Sequence, residues 1–212
     1  MPKFATLMKA ITVIAWATAL AAATAACSGG TRHGRCILPA GTELREGDVV
    51  LRMGGGATSH AVVAADRGGR YSHVGIVADS CGHPMIVHAV PGEPDFAGDI
   101  DRVKLDSPTK FFSTMMATCG AVRRPANRDA AHKAAVWAMA AYRRGTEFDH
   151  DYDSADTTRL YCTELVARAY ASAGLDIAGP STHEVNLPGL HTRCWLPSDF
   201  GASRRLTTVA EF

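Results

Sequence analysis

Two short segments of this chain carry the residue types of a thiol nucleophile and its base. Residues 71–75 read YSHVG, which puts His73 at the start of an apolar run that predicts a β-strand. Residues 161–166 read YCTELV, which puts Cys162 at the start of an amphipathic helix. Because an imidazole can activate a thiol to attack carbonyl carbon, the pair predicts a cysteine hydrolase or acyltransferase.

The helix that follows Cys162 predicts a site for negative charge. Its first turn offers unpaired backbone N–H groups and the positive end of the helix dipole, which favour a thiolate and can also receive an oxyanion. His73 is the expected base. A third polar group should orient its imidazole, and His88 lies on the next predicted strand. A turn centred near Cys81 and Gly82 would place both histidines on one face of a hairpin.

Turn residues and apolar periodicity predict an α+β domain that positions these groups. The predicted strands are 47–52, 72–78, 85–90, 100–105 and 115–122. The predicted helices are a short one capped by Thr58 and ending at Ala65, a second at 107–112, a third from the Asn127 cap to Gly145, and a fourth at 161–173. Residues 146–160 and the tail from 175 are expected to be loops.

Length and composition favour a single globular domain behind a leader. The chain has 212 residues, 47% of them hydrophobic, and a net charge of +1, so nothing suggests a nucleic-acid partner. Basic residues and an alanine-rich apolar stretch at 1–26 resemble a secretory signal peptide that is short for a membrane span. We predict an N-terminal linker at 27–45 and the hydrolase domain at 46–212, and we expect a monomer.

The end of the leader allows two kinds of processing. Residues 23–25 read ATA, which suits ordinary signal peptidase, whereas residues 24–27 read TAAC and are similar to a bacterial lipoprotein box. In the second case Cys27 would be the first mature residue, and lipids on it would anchor the protein in a membrane. Both alternatives predict export to the periplasm or cell envelope.

The remaining cysteines leave their redox state open. Cys36, Cys81, Cys119 and Cys194 form an even set that could make two disulfides in an oxidising compartment, or remain buried free thiols. No C-x-x-C spacing supports zinc. Alternating aspartates at 149–153 lack the glycine and the final acid of a calcium loop, so we expect a solvated loop, no metal and no cofactor.

These motifs together resemble the permuted NlpC-type papain-like cysteine hydrolases of the YiiX group. The resemblance covers roughly residues 46–202 and includes the GDVV, YSHVG and YCTELV segments in that order. In ordinary NlpC-type enzymes the cysteine helix precedes the histidine strand, whereas in the permuted branch the order is reversed, as it is here. It implies a circularly permuted papain-like fold, with an antiparallel sheet packed against the cysteine helix.

The resemblance also implies a role for each site residue. Cys162 is the nucleophile, His73 the base and His88 the orienting group, where the YiiX branch more often has glutamate. Phe148 stands where relatives often carry a tyrosine that helps the oxyanion, so Tyr152 or Tyr161 could substitute, and Tyr71 is a further candidate.

Three functions follow from this reading of the sequence. The first is an exported hydrolase that cleaves an amide of cell-wall peptide through a Cys162 thioester. The second is a thiol acyltransferase or lipid esterase/amidase of the lecithin:retinol acyltransferase-like type, for which the substrate would be a lipid or lipid amide. The third is a noncatalytic envelope-binding lipoprotein, which an unreactive Cys162 thiol with an ordinary or raised pKa would favour.

Overall fold

The fold is built on an antiparallel sheet of six strands, in the order β4-β3-β2-β1-β5-β8. The computed structural model describes residues 34–180, 183–187 and 190–212. A separate hairpin pairs β6 with β7. The strands are β1 Val49–Met53, β2 His73–Ser80, β3 His83–Val90, β4 Arg102–Asp106, β5 Cys119–Pro125, β6 His183–Leu187, β7 Leu190–Cys194 and β8 Leu206–Glu211.

Five helices accompany these strands in the described ranges. They are α1 Ala57–Ala65, α2 Pro108–Phe111, α3 Arg128–Arg143, α4 Cys162–Ser172 and α5 Pro197–Gly201. None of these helices is long and apolar enough to cross a membrane.

Side chains that alternate along the strands fill two cores, one on each face of the sheet. In β1, Val49 and Leu51 belong to the core that also contains the buried residues of α3 and α4, whereas Val50 belongs to the second. Phe111 and Phe112, at the end of α2, fill the second core. The α+β architecture and the sheet packed against the cysteine helix are therefore confirmed.

The predicted elements match the structure best where caps and tight turns mark them. Asn127 accepts a hydrogen bond from the Ala130 N–H at 3.0 Å and caps α3, as expected. The prediction for Thr58 was wrong, because Gly56 is the N-cap of α1 and makes no side-chain cap. The fifth strand begins at Cys119 rather than at 115.

The expectation of a loop tail was also wrong. Beyond residue 175 the chain forms β6, β7, α5 and β8, and β8 completes the sheet by pairing with β5. Residues 206–211 read LTTVAE, whose β-branched residues suit a strand, but the edge that they join is set by tertiary packing.

The predicted linker is attached to the domain wherever it is described. Ile37 N–H donates to the Phe112 carbonyl at 2.8 Å, and Thr114 N–H donates to the Arg35 carbonyl at 2.8 Å. Ile37, Leu38 and Leu44 pack against the second core. These residues are therefore part of the domain. The predicted signal peptide at 1–26 and the lipidation candidate Cys27 lie outside the described residues.

All four cysteines of the even set are free thiols. Cys36 lies beside Pro108, Cys81 in the exposed turn between β2 and β3, Cys119 at the start of β5 and Cys194 at the end of β7. Because they belong to separate parts of the fold, the alternative with two disulfides does not hold, and the alternative with free thiols does.

Candidate active site

The residues of the YCTE segment fix the start of α4. Tyr161 is the N-cap, and the Glu164 carboxylate in the first turn accepts a 2.7 Å hydrogen bond from Arg168 Nε. Thr163 Oγ1 donates to the Trp195 carbonyl at 2.9 Å. These contacts hold the first turn of the helix in place, and Cys162 is its first residue.

The Cys162 thiol lies beside the backbone N–H groups of Val74, Thr163 and Cys162 itself. Val74 directly follows His73 in the chain, so this contact brings the histidine strand to the cysteine helix. Burial raises the pKa of Cys162 to about 11, although the N–H groups and the charge of Arg52 act in the opposite direction. The N–H groups at the helix terminus favour the thiolate, as expected, but burial has the larger effect on the pKa of Cys162.

The hairpin register places His73 and His88 on one face of the sheet. Ser80 pairs with His83 and Ile76 with Val87, so His88 lies opposite Gly75 and diagonal to His73. A Cβ atom at Gly75 would lie 3.2 Å from His88 Cβ and 3.0 Å from the Val87 carbonyl oxygen. The glycine of YSHVG therefore leaves room for the His88 side chain.

The two imidazoles are directly hydrogen-bonded. His73 Nε2 lies 2.9 Å from His88 Nδ1, and His88 Nε2 lies 3.2 Å from Asp106 Oδ2. Both rings pack against Phe111, with centroids 5.8 and 5.2 Å from its ring. Since His88 engages Nε2 of His73, a further partner of this ring would have to approach Nδ1.

Burial keeps both histidines neutral. It is the largest cause that lowers the pKa of His73 well below its ordinary range, and the charge of Arg52 adds to it. The pKa of His88 is also lowered, chiefly by burial, although the Asp106 hydrogen bond opposes the shift. The unliganded site thus contains a neutral thiol and a neutral base.

An ion pair lies beside these rings. The Arg52 guanidinium pairs with Glu93, donates to the Phe111 carbonyl at 3.1 Å and lies 4.4 Å from the centroid of the Phe111 ring. The Arg52 side chain is only 3% exposed. Its charge favours the thiolate of Cys162 and disfavours a proton on His73, so it helps to set the electrostatics of the site.

Cys162 and His73 line one cavity of about 210 Å³. Arg52, Glu93 and Cys194 also line it. Much of its remaining wall is apolar and comes from Ala61, Val62, Val90, Val185 and Leu196. The helix α1 contributes to this wall, and no residue of that helix is buried. The cavity therefore offers an apolar cleft that leads to the thiol.

The three tyrosine candidates occupy different places. Tyr152 and Tyr161 line the cavity, with ring centroids 5.3 Å apart. Burial raises the pKa of Tyr152 to about 12 and that of Tyr161 further, so both hydroxyls remain protonated donors. Tyr71 is not among the cavity residues, and its hydroxyl donates to Glu211 at 2.7 Å. We therefore do not include Tyr71 in the site.

Reasoning from the sequence missed Asp106, Arg52 and Glu93. Arg52 in β1 lies directly opposite His73 in β2. Once the pairing of these two strands is predicted from the sequence, their register would place Arg52 beside the histidine. Asp106 ends β4 and lies diagonal to His88, but eleven residues separate β4 from β3, so turn geometry does not set the register.

Comparison with known proteins places this geometry in a family. The crystal structure of the metalloprotein YiiX from Escherichia coli O157:H7 superimposes with a TM-score of 0.62 at 20% sequence identity, covering 79% of this chain and 97% of that chain. In the described ranges, no group of three or more His, Cys, Asp or Glu side chains could hold a metal ion. No curated protein matches the chain.

A sequence profile gives the family directly. It is described as "Permuted papain-like amidase enzyme, YaeF/YiiX, C92 family", and it matches residues 43–210, most of the chain. The chain belongs to the C92 family of permuted papain-like amidases.

Proposed function

We propose that this protein is a cysteine amidase in which Cys162 is the nucleophile, His73 the base and His88 the group that orients the base. The observation that carries the proposal is the one cavity that Cys162 and His73 both line. Membership of an amidase family supports hydrolysis of an amide rather than binding alone.

The proposed reaction starts from the neutral pair. As the sulfur attacks the carbonyl carbon, its proton passes to His73 Nδ1, and a tetrahedral oxyanion forms. The backbone N–H groups of Cys162 and Thr163, with the Tyr152 or Tyr161 hydroxyl, are the donors available to that oxyanion. By the criterion given above, the raised pKa of the Cys162 thiol supports the noncatalytic alternative. A catalytic Cys162 must therefore lose its proton to His73 only as the sulfur attacks bound substrate.

Three further proton transfers complete the cycle. The His73 imidazolium gives its proton to the leaving amine as the C–N bond breaks, which leaves a thioester on Cys162. Water then attacks the thioester and gives a proton to His73, which returns it to the sulfur as the acid product leaves. The reaction consumes one amide and one water and produces one amine and one carboxylic acid.

For the substrate we propose an amide of cell-wall peptide. The leader at 1–26 supports this substrate class, since export would deliver the enzyme to the envelope. A Cys27 lipid anchor would hold it there. The apolar wall of the cavity supports a second candidate, a lipid amide or ester, whose acyl chain would lie against α1.

One experiment separates these candidates. The mature protein is incubated with purified peptidoglycan and, separately, with phospholipid vesicles, and the products are identified by mass spectrometry. We expect peptide fragments with a new amine and a new carboxyl group from peptidoglycan, whereas released fatty acid would favour the second candidate.

Two cysteine variants control for the thiol. Cys162→Ala should release nothing, and Cys119→Ala, which removes a free thiol outside the cavity, should match the wild type. Comparable product release by Cys162→Ala would contradict covalent catalysis. A wild-type Cys162 that reacts no faster than expected for an isolated buried thiol would instead support the noncatalytic envelope-binding alternative.

A further inference from the structure

The hydrogen-bonded chain from His73 does not end at His88. It continues to Asp106, whose Oδ2 lies 3.2 Å from His88 Nε2, and all three side chains are at most 7% exposed. A carboxylate has no proton to donate, so in this contact Asp106 accepts and His88 Nε2 must carry the hydrogen.

We propose that Asp106 is a positioning residue that fixes the tautomers of both histidines and thereby leaves the lone pair of His73 on Nδ1. Because neutral His88 carries its hydrogen on Nε2, its Nδ1 is an acceptor. His73 Nε2, 2.9 Å away, must then donate to it. The inference rests on the proposed function, since it assigns the nitrogen that takes the proton of Cys162.

His88 and Lys110 together hold Asp106 in its charged form. Lys110 Nζ lies 2.7 Å from Asp106 Oδ1 and 2.7 Å from Asp95 Oδ1. Burial alone would raise the pKa of Asp106, but the hydrogen bonds from His88 and Lys110 and the charge of Lys110 bring it well below its ordinary value. The carboxylate therefore remains an acceptor at neutral pH.

The arrangement moves one proton and keeps the others in place. When Cys162 attacks, the S–H bond breaks and an N–H bond forms at His73 Nδ1. The new imidazolium keeps its Nε2 hydrogen in the bond to His88, and His88 keeps its own in the bond to Asp106. Asp106 takes up no proton, and its negative charge stabilises the cation that forms on His73.

A purely structural role is the rival explanation, because the Lys110–Asp106 pair joins α2 to the end of β4. Asp106→Asn separates the two roles. Lys110 Nζ can only donate, so it should hold the amide oxygen and turn the amide nitrogen toward His88 Nε2. His88 would then carry its hydrogen on Nδ1 and donate it to His73 Nε2. The hydrogen of His73 would therefore lie on Nδ1, and this nitrogen could not accept the proton of the thiol.

The test measures tautomers and thiol reactivity in the intact domain. Nitrogen-15 NMR of histidine-labelled protein should show an unprotonated Nδ1 for His73 in the wild type and a protonated one in Asp106→Asn. The His73-dependent rate of Cys162 alkylation by iodoacetamide at pH 7 should fall by about 10²–10⁴-fold in this variant.

Lys110→Met is the matched control. It breaks the same ion pair but keeps the hydrogen bond from His88, which lowers the pKa of Asp106 more than Lys110 does, so Asp106 should remain a carboxylate and His73 should keep its wild-type tautomer. A protonated Nδ1 in the wild type, or an unchanged tautomer and alkylation rate in Asp106→Asn, would overturn the inference. If Cys162 and His73 do not act together as proposed, the result is different. The rate of wild-type alkylation would then not depend on His73, while the NMR spectrum would still report the tautomers of the histidines.

Discussion

Replacing Gly75 with alanine should damage the site by moving His88. The added Cβ would lie 2.8 Å from Ile86 Cγ2, 3.0 Å from the Val87 carbonyl oxygen and 3.2 Å from His88 Cβ. Carbon contacts are most favourable at about 3.5–4.0 Å, so β3 must shift by several tenths of an ångström. The carbonyl oxygen belongs to the backbone of the paired strand, which cannot move without straining the hairpin.

The expected cost follows from this crowding. An extra methyl in a well-packed core costs about 1–3 kcal/mol, which corresponds to a decrease in Tm of roughly 2–12 °C for a domain of this size. Displacement of His88 also weakens its bond to His73, so Cys162 alkylation should slow more than the loss of stability alone explains.

The assay is thermal unfolding followed by alkylation with iodoacetamide well below the Tm of the variant. Gly55→Ala is the matched control, because no atom lies within 4 Å of the Cβ that it would add. If Gly75→Ala kept both the Tm and the alkylation rate of Gly55→Ala, the close approach of the two strands at His88 would not be what orients the histidines.

Further predictions concern the charges of the site and the N-terminus. Arg52→Met should leave Glu93 as an unpaired, partly buried carboxylate and lower the free energy of unfolding by about 1–3 kcal/mol in urea titrations; an unchanged free energy of unfolding would contradict the pairing. Burial raises the pKa of Glu164 from 4.5 to about 7. Between these pH values the folded state binds a proton on Glu164 that the unfolded state has lost, so the free energy of unfolding should decline as pH rises from 4.5 to 7. Glu164→Gln should abolish that decline in thermal scans, and an unchanged pH profile would refute it. Cys27→Ser should release the protein from membranes of expressing cells, and a variant that still sediments with them would contradict lipid anchoring.

The sequence predicted the parts of the site that depend on local structure. The helix that begins at Cys162 follows from periodicity, and the shared face of His73 and His88 follows from a turn at Cys81 and Gly82 whose length sets the register. Both depend on residues that are close together in the chain.

The rest depends on tertiary packing. Asp106 reaches His88 through a strand pair whose register the connecting loop does not set, and β8 joins the sheet some 80 residues after β5. The sequence predicted the direction in which the helix terminus shifts the pKa of Cys162, but it did not show the larger, opposing effect of burial.

Capture of the acyl-enzyme is the most direct test that Cys162 and His73 act together. Mature protein is mixed with peptidoglycan fragments, quenched in acid and digested, and the peptide that contains Cys162 is analysed by mass spectrometry. We predict an added acyl mass that hydroxylamine removes, present in the wild type and absent in Cys162→Ala and in His73→Ala. Wild-type turnover with no adduct on Cys162, matched by equal turnover of Cys162→Ala, would contradict the account.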